Sequence, residues 1–306
     1  MSAATRLEFD QVSKWYGTVS ALVDVGFSIG QEVVGLVGRN GAGKSTLMKL
    51  AAGLLRPSIG RVRVAGEPAG TRAANEALGF SPDFERLYEG ISGREFVAWM
   101  LRLHGVSRRM ATDRAGALLT DLGLGEHMHR RIGEYSKGMR QRVRLAQALG
   151  HRPSFLLLDE PMNGLDPMAR RELAQRMRSL SEQGIGILVS SHVLHELEAM
   201  VDRVVLIHQG RLMAEGRVAD LRGQLRGQPH RVRVASAAPR DLAVRLAGLV
   251  QVQGIEVGVA GVEVALSGEP GFYAALTEIG AEPQALVQEL LPLDDSLASV
   301  FGYLVG

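Results

Sequence analysis

One short loop constrains this chain more than any other feature: Gly38-Arg39-Asn40-Gly41-Ala42-Gly43-Lys44-Ser45-Thr46. A mostly apolar run, Gln31 to Val37, leads into it, as a buried strand would. Leu47, Leu50, Ala51 and Leu54 follow at helical spacing, and Gly53 and Pro57 end that helix. Gly38 to Ser45 fits the pattern G-x-x-x-x-G-K-[ST]. Its glycines let successive backbone N–H groups turn inward around phosphate oxygens. The helix behind adds its positive N-terminus. Lys44 is expected to reach the β- and γ-phosphates of a nucleotide, and the Ser45 hydroxyl to bind Mg²⁺. Gly38, Asn40, Gly41, Gly43 and Thr46 complete the expected cradle. Lysine is scarce here, with Lys14, Lys44, Lys49 and Lys137 among 35 basic residues. A lysine at the motif position is therefore unlike the arginine-rich background.

The pattern around the loop predicts an α/β fold. Glu8 to Val12 and Ala21 to Ile29 alternate apolar and polar residues, as half-buried strands do. Arg61 to Val64, Leu78 to Phe80, Phe155 to Leu158 and Ile185 to Val189 read as further strands, and Met168 to Gln183 as a helix. Val204 to Ile207 and Arg211 to Ala214 flank Gln209-Gly210, a hairpin signal. Strands alternating with helices predict a mainly parallel sheet. From Ser92 to Leu124 the pattern turns helical, opened by Ser92 and Glu95 at capping-box spacing. A helical subdomain over about 92–150 is expected inside the α/β core.

A first domain over 1–225 and a linker at 226–230, containing Arg226-Gly227-Gln228-Pro229, follow from the shift in composition. The remainder, 231–306, reads strand, helix, strand, strand, helix, strand. That is the small α+β, ferredoxin-like order. Ser296 caps an expected last helix with Leu297, Val300, Phe301 and Leu304 on one stripe.

Composition narrows the function classes. With no cysteine, disulfides and thiolate metal sites are excluded. A net charge of +2 is too mild to argue for nucleic acid, and none is expected as partner. No stretch approaches the roughly 18 apolar residues of a membrane span. Met1 to Asp10 has no apolar run of the secretory kind. If the chain serves transport, the pore is another polypeptide.

Asp159-Glu160 closes the apolar run Phe155 to Leu158. Downstream of a phosphate loop, Asp159 is expected to hold Mg²⁺ through water and Glu160 to polarise the water that attacks the γ-phosphate. Tyr135-Ser136-Lys137-Gly138-Met139, followed by Arg140-Gln141-Arg142, resembles the signature of ABC transporter ATP-binding subunits. The usual form is Leu-Ser-Gly-Gly-Gln. Ser136 and Gly138 match its serine and second glycine, while Tyr135, Lys137 and Met139 depart. This version is similar to that of ABC-2-type exporters. Ser136 also suits a helix N-cap, and the two roles are compatible.

The resemblance runs from about Leu7 to Leu225 and brings further elements in order. Tyr16 sits where the family stacks an aromatic on adenine. Gly164-Leu165-Asp166-Pro167 resembles the D-loop, which adds Asp166 to the nucleotide-binding set. His192, after Ser190-Ser191, sits where the switch histidine meets the γ-phosphate, so Glu160, His192 and Lys44 are the expected catalytic residues. The family places a glutamine after the strand near Phe80, and here Asp83 takes that place. Either Asp83 joins the metal ligands or it stays withdrawn and only links mechanically.

The resemblance implies a P-loop ABC ATPase domain with antiparallel β and helical subdomains, hydrolysing ATP with Mg²⁺. It also implies two such domains pairing head to tail, as a homodimer or with a related second ATPase chain. An integral membrane permease would be the partner, export the direction, and the cytoplasmic face of the membrane the location. A soluble ABC protein of translation or repair would usually carry two ATPase domains or long coiled-coil insertions, and neither is visible. Intact Lys44, Asp159, Glu160 and His192 argue against an inactive regulatory module.

Two softer features remain. Arginines crowd the helical region, among them Arg102, Arg108, Arg109 and Arg114. They suit a solvated helix surface or one near an anionic leaflet. Leu87-Tyr88 lies where the family docks its membrane partner, and burial within the domain is an equal reading.

Overall fold

Alternating and continuous apolar runs build two kinds of sheet in this computed structural model. The structure describes residues 6–83, 87–192, 197, 200–201, 203–217, 220–221, 230–267, 270–280 and 287–293. The chain divides into two units, Met1–Gly216 and Arg217–Gly306.

The first unit runs β1 (Leu7–Tyr16), β2 (Val19–Ile29), β3 (Val33–Val37), α1 (Lys44–Ala51), β4 (Ile59–Val64), β5 (Glu67–Pro68), α2 (Arg72–Ala77) and β6 (Leu78–Ser81). It continues with α3 (Gly93–Leu103), α4 (Arg108–Asp121), α5 (Lys137–Leu149), β7 (Phe155–Leu158), α6 (Pro167–Glu182), β8 (Gly186–Ser191), β9 (Arg203–His208) and β10 (Arg211–Arg217).

The alternating strands form an antiparallel sheet in the order β2-β1-β4-β5. Leu7, Phe9, Leu22, Phe27 and Ile29 point into the core, and Phe9 stacks on Phe27 at 4.6 Å. The second sheet has the order β10-β9-β3-β8-β7-β6. Strands β6, β7, β8, β3 and β9 are parallel. Only an antiparallel pair can close through two residues, so β10 returns along β9 through Gln209-Gly210. Every side chain of Phe155–Leu158 is fully buried. Truncating Leu157 to Ala there costs about 2–5 kcal/mol.

This strand order positions the site. Strands β3, β8 and β7 are consecutive neighbours, so the segments after Val37, Ser191 and Leu158 leave the same edge of the sheet. Ligands bind at the carboxyl ends of such strands.

The helical reading from Ser92 to Leu124 needs one correction. Gly105, at φ +82, ends α3, and α4 restarts at Arg108. Ser92 caps α3 as the spacing implies: its Oγ accepts from the Glu95 N–H, and its own N–H donates to the Glu95 carboxylate at 2.9 Å. The Ser92 N–H and hydroxyl both donate to that carboxylate and hold it below its ordinary range.

The second unit runs β11 (His230–Ser236), α7 (Pro239–Leu246), β12 (Val252–Val257), β13 (Gly261–Leu266), α8 (Pro270–Gly280) and β14 (Val287–Pro292). Its sheet order is β12-β13-β11-β14, and every neighbouring pair is antiparallel. Val232, Val234, Val262 and Val264 form one core with Leu242, Leu246, Phe272 and Leu276. His230 opens β11, one residue earlier than the sequence pattern implies. The linker residues 226–229 and the helix expected from Ser296 lie outside the described residues.

Candidate active site

The glycine loop rises from β3 and enters α1. A Cβ on Gly38 would lie 2.4 Å from the Ile207 carbonyl oxygen, and Gly43 stands at φ +110 as the N-cap of α1. Both positions therefore demand glycine. Lys44 folds back into the loop and its ammonium donates to the Gly38 carbonyl at 2.7 Å. It is buried, yet it lines the cleft above.

The ends of β7 and β8 meet it there. Glu160 lies 3.3 Å from the Lys44 ammonium. Its other carboxylate oxygen accepts from His192 Nδ1 at 2.8 Å. A carboxylate only accepts, so Nδ1 carries the proton in this contact. Glu160 holds a left-handed backbone at φ +48, an uncommon conformation for a residue with a Cβ. Its N–H donates to Ser190 Oγ at 2.8 Å, and the Ser190 hydroxyl donates to Asp159 Oδ1 at 2.7 Å. Asp159 is buried behind that hydroxyl. Ser190 thus ties the Asp159 carboxylate to the Glu160 backbone through one oxygen.

A cleft of about 440 Å³ opens over these groups. Asn40, Gly41, Gly43, Lys44, Ser45, Thr46, Asp83, Glu160 and His192 all line it. Nearly every phosphate-facing residue expected from the sequence is therefore gathered in one place. Asn163 also lines it and was not visible in the sequence. Its signal is weak, a polar residue in the turn between Glu160 and Asp166. Ser190 had a better signal, a hydroxyl ending an otherwise apolar strand.

The oxygen donors Ser45, Asp159 and Asp83 suit Mg²⁺, which takes one or two carboxylates and completes its shell with water and phosphate oxygens. Among the described residues no group of three or more His, Cys, Asp or Glu could hold an ion alone.

The remaining expected residues sit elsewhere. Tyr16 ends β1, is 46% exposed, and has the Lys14 ammonium 5.4 Å from its ring centre. It is not among the residues lining the cleft. Ser136 is the N-cap of α5 and accepts from the Met139 N–H at 3.2 Å. Gly138 lines a separate cavity of about 330 Å³ with Leu122, Leu145, Leu165 and Leu173. Asp166 caps α6, accepting from Met168 and Ala169 N–H at 3.0 and 2.9 Å. Tyr135 is buried and its hydroxyl donates to the His127 carbonyl at 2.6 Å. Burial pushes that phenol above its ordinary value. A Cβ on Gly93 would lie 2.6 Å from the same hydroxyl, so the larger tyrosine is accommodated by a glycine across from it.

Comparison with known proteins agrees with this geometry. The ABC transporter family matches residues 22–163. An uncharacterised ABC transporter ATP-binding protein of Bacillus subtilis, YxlF, is 39% identical over 219 residues, covering 71% of this chain and 73% of that protein. The chain belongs to the ABC transporter ATP-binding proteins. Proteins of this family are ATPases that power transport, and this chain is one. The Nod factor export ATP-binding protein I of Rhizobium etli is 36% identical, covering 73% of this chain and 72% of that protein. A solved ATP-binding subunit of an ABC transporter superposes with a TM-score of 0.66 at 33% identity, over 72% of this chain and 93% of that one. The ABC ATPase fold expected from the sequence is the fold observed. No described helix of this ABC ATPase is long and apolar enough to cross a membrane.

Proposed function

We propose that this ABC ATPase drives a separate membrane permease in export, through ATP-dependent pairing of two copies. The observation that carries the chemistry is Glu160 held between Lys44 and His192, at 3.3 and 2.8 Å, on the lip of the glycine-loop cleft. In this reading phosphate oxygens compete with Glu160 for the Lys44 ammonium. Backbone N–H groups of Gly38 to Thr46 and the start of α1 hold the β- and γ-phosphates.

Glu160 then accepts a proton from the attacking water. The new bond joins the water oxygen to the γ-phosphorus. The bond to the β–γ bridging oxygen breaks, and ADP leaves with that electron pair. His192 keeps the carboxylate aimed. Mg²⁺, held by the Ser45 hydroxyl and Asp159 with Asp83 as a candidate third donor, would neutralise charge on the phosphates.

Ser136 and Gly138 do not line the cleft that holds Lys44. Supplying the second chain's nucleotide from the start of α5 accounts for their distance from it. A helix N-terminus with a glycine beside it offers N–H groups and clearance to an anion. The likeness to a Nod factor export protein favours export. With the permease as its anchor, the ATPase works at the cytoplasmic face of the membrane. Purification from cells through a tag on this chain tests the assembly. An integral membrane protein in stoichiometric amount is expected. Recovery of the chain alone from detergent extracts of intact membranes would contradict the permease reading.

A further inference from the structure

The helical hairpin of α3 and α4 ends in a tip that the nucleotide chemistry does not use. Nine residues form it, Arg102-Leu103-His104-Gly105-Val106-Ser107-Arg108-Arg109-Met110. Leu103 is 80% exposed and Met110 65% exposed. Trp99, one helical turn before Leu103, is 45% exposed. No carboxylate occurs from Trp99 to Thr112. Arg102, Arg108 and Arg109 are exposed, and their side chains have no ion pair among the described residues. Some exposed arginines elsewhere are paired: Arg61 meets Asp10, Arg72 meets Glu76 and Arg130 meets Glu134.

Two more arginines, Arg114 and Arg152, add positive charge beside the tip, next to a histidine pair. His104 stacks on His151 with ring centres 3.9 Å apart. Arg152 follows it, close enough to Arg114 of α4 to help burial push that guanidinium below its ordinary value. Glu76 is the acid that faces His104, and its carboxylate is taken up by Arg72 at 2.8 Å.

Unmatched guanidinium groups interleaved with exposed Trp, Leu and Met have one natural counterpart. Anionic lipid phosphates attract arginines near the surface. Tryptophan settles at the headgroup level, where its ring is apolar and its N–H is wet. Leucine and methionine enter the acyl boundary beneath. Water would meet the charges but leave the apolar side chains uncovered. We infer that the α3–α4 tip contacts an anionic lipid surface directly. The contact belongs to the ATPase itself and does not rest on the permease reading.

Full-length chain carrying Trp15→Phe leaves Trp99 as the reporting tryptophan, because the sequence contains two. It is mixed with vesicles of phosphatidylcholine alone or with phosphatidylglycerol added. The expected result is sedimentation with the anionic vesicles, a blue shift of Trp99 emission, and release at high salt. Combined Arg102→Glu, Arg108→Glu and Arg109→Glu weakens binding by at least about a hundredfold, because three attractions are lost and three repulsions added. Leu103→Ser with Met110→Ser diminishes the emission shift and leaves weaker, salt-sensitive association. ATP turnover without vesicles stays at the wild-type level in these tip variants, which shows that they fold. Three results overturn the inference: no sedimentation with anionic vesicles, equal binding by the charge-reversed variant, or unshifted Trp99 emission in bound protein. Unshifted emission or absent sedimentation would assign the tip to a protein partner. A loss of turnover in unmodified chain would instead strike the nucleotide site.

Discussion

The glycine-loop cleft and the signature segment both sit at helix N-termini, yet they are built on different plans. In the cleft the charges are paired with one another. Lys44 holds the Gly38 carbonyl and Glu160, Glu160 holds His192, and Ser190 ties Asp159 to the Glu160 backbone. In the signature segment the side chains serve the scaffold. Ser136 caps α5, Tyr135 is buried against His127, and Arg140 donates to the Tyr135 carbonyl at 3.2 Å. Gly138 lines the cavity of about 330 Å³ beside the helix start. In the proposed function one region is a reaction centre whose charges are re-partnered by phosphate, and the other is a platform that offers backbone N–H groups at the start of α5.

The sharpest contrast comes from Lys44→Ala and Glu160→Gln, which strike the reaction centre. Both are expected to lower turnover by about a hundredfold or more, the scale of a lost general base. Nucleotide-binding assays then separate them. Glu160→Gln keeps ATP affinity, while Lys44→Ala loses it with the charge at the phosphates. Near-normal turnover by Glu160→Gln would remove it from the catalytic role. Ser136→Arg strikes the platform and blocks turnover, while ATP still binds the isolated chain. If that variant lost ATP affinity as well, the two regions would not be independent.

Smaller effects probe how the platform is held. Tyr135→Phe removes the buried hydrogen bond to His127 and lowers stability by about 1 kcal/mol in denaturant titration. Gly93→Ala presses a methyl group against the Tyr135 hydroxyl and costs more. Combining it with Tyr135→Phe recovers part of that loss. Additive losses would mean that the 2.6 Å approach is not what limits position 93.

Acid sensitivity comes next. His151 is pushed down to about 4, chiefly by burial and then by His104. The unfolded chain takes up this proton below about pH 6.5, and the folded chain does not until about 4. Stability is therefore lost as pH falls through that window, and His151→Gln flattens the slope there. An unchanged slope in the variant would show that His151 is charged in the fold. The smallest expected effect is at Asp83. If its carboxylate joins the metal, Asp83→Ala raises the Mg²⁺ needed for turnover, and Asp83→Gln partly restores it. Identical Mg²⁺ titrations leave Asp83 a mechanical link.

Much of this contrast is legible in the sequence, for physical reasons. Glycines at 38 and 43 answer backbone demands that no other residue meets, so the loop announces itself. Phe155 to Leu158 reads correctly because a strand buried on both faces must be apolar throughout. What hides is structure without a strong apolar signal. Helix α2 is one short stretch, Arg72–Ala77, with Ala74 as its buried residue. The break at Gly105 is masked because apolar spacing resumes after it. The roles of Ser190 and Asn163 depend on which strand ends meet, and that is set by the sheet order rather than by local pattern. The separation of Gly138 from Lys44 is likewise a property of the folded chain.

Whether cleft and platform come together between chains is answered by the mass of the Glu160→Gln protein in light scattering. With saturating MgATP the mass should double, with ADP it should stay that of one chain, and adding Ser136→Arg should abolish the doubling. A single-chain mass in saturating ATP, or a dimer indifferent to Ser136→Arg, would contradict a site shared between two copies.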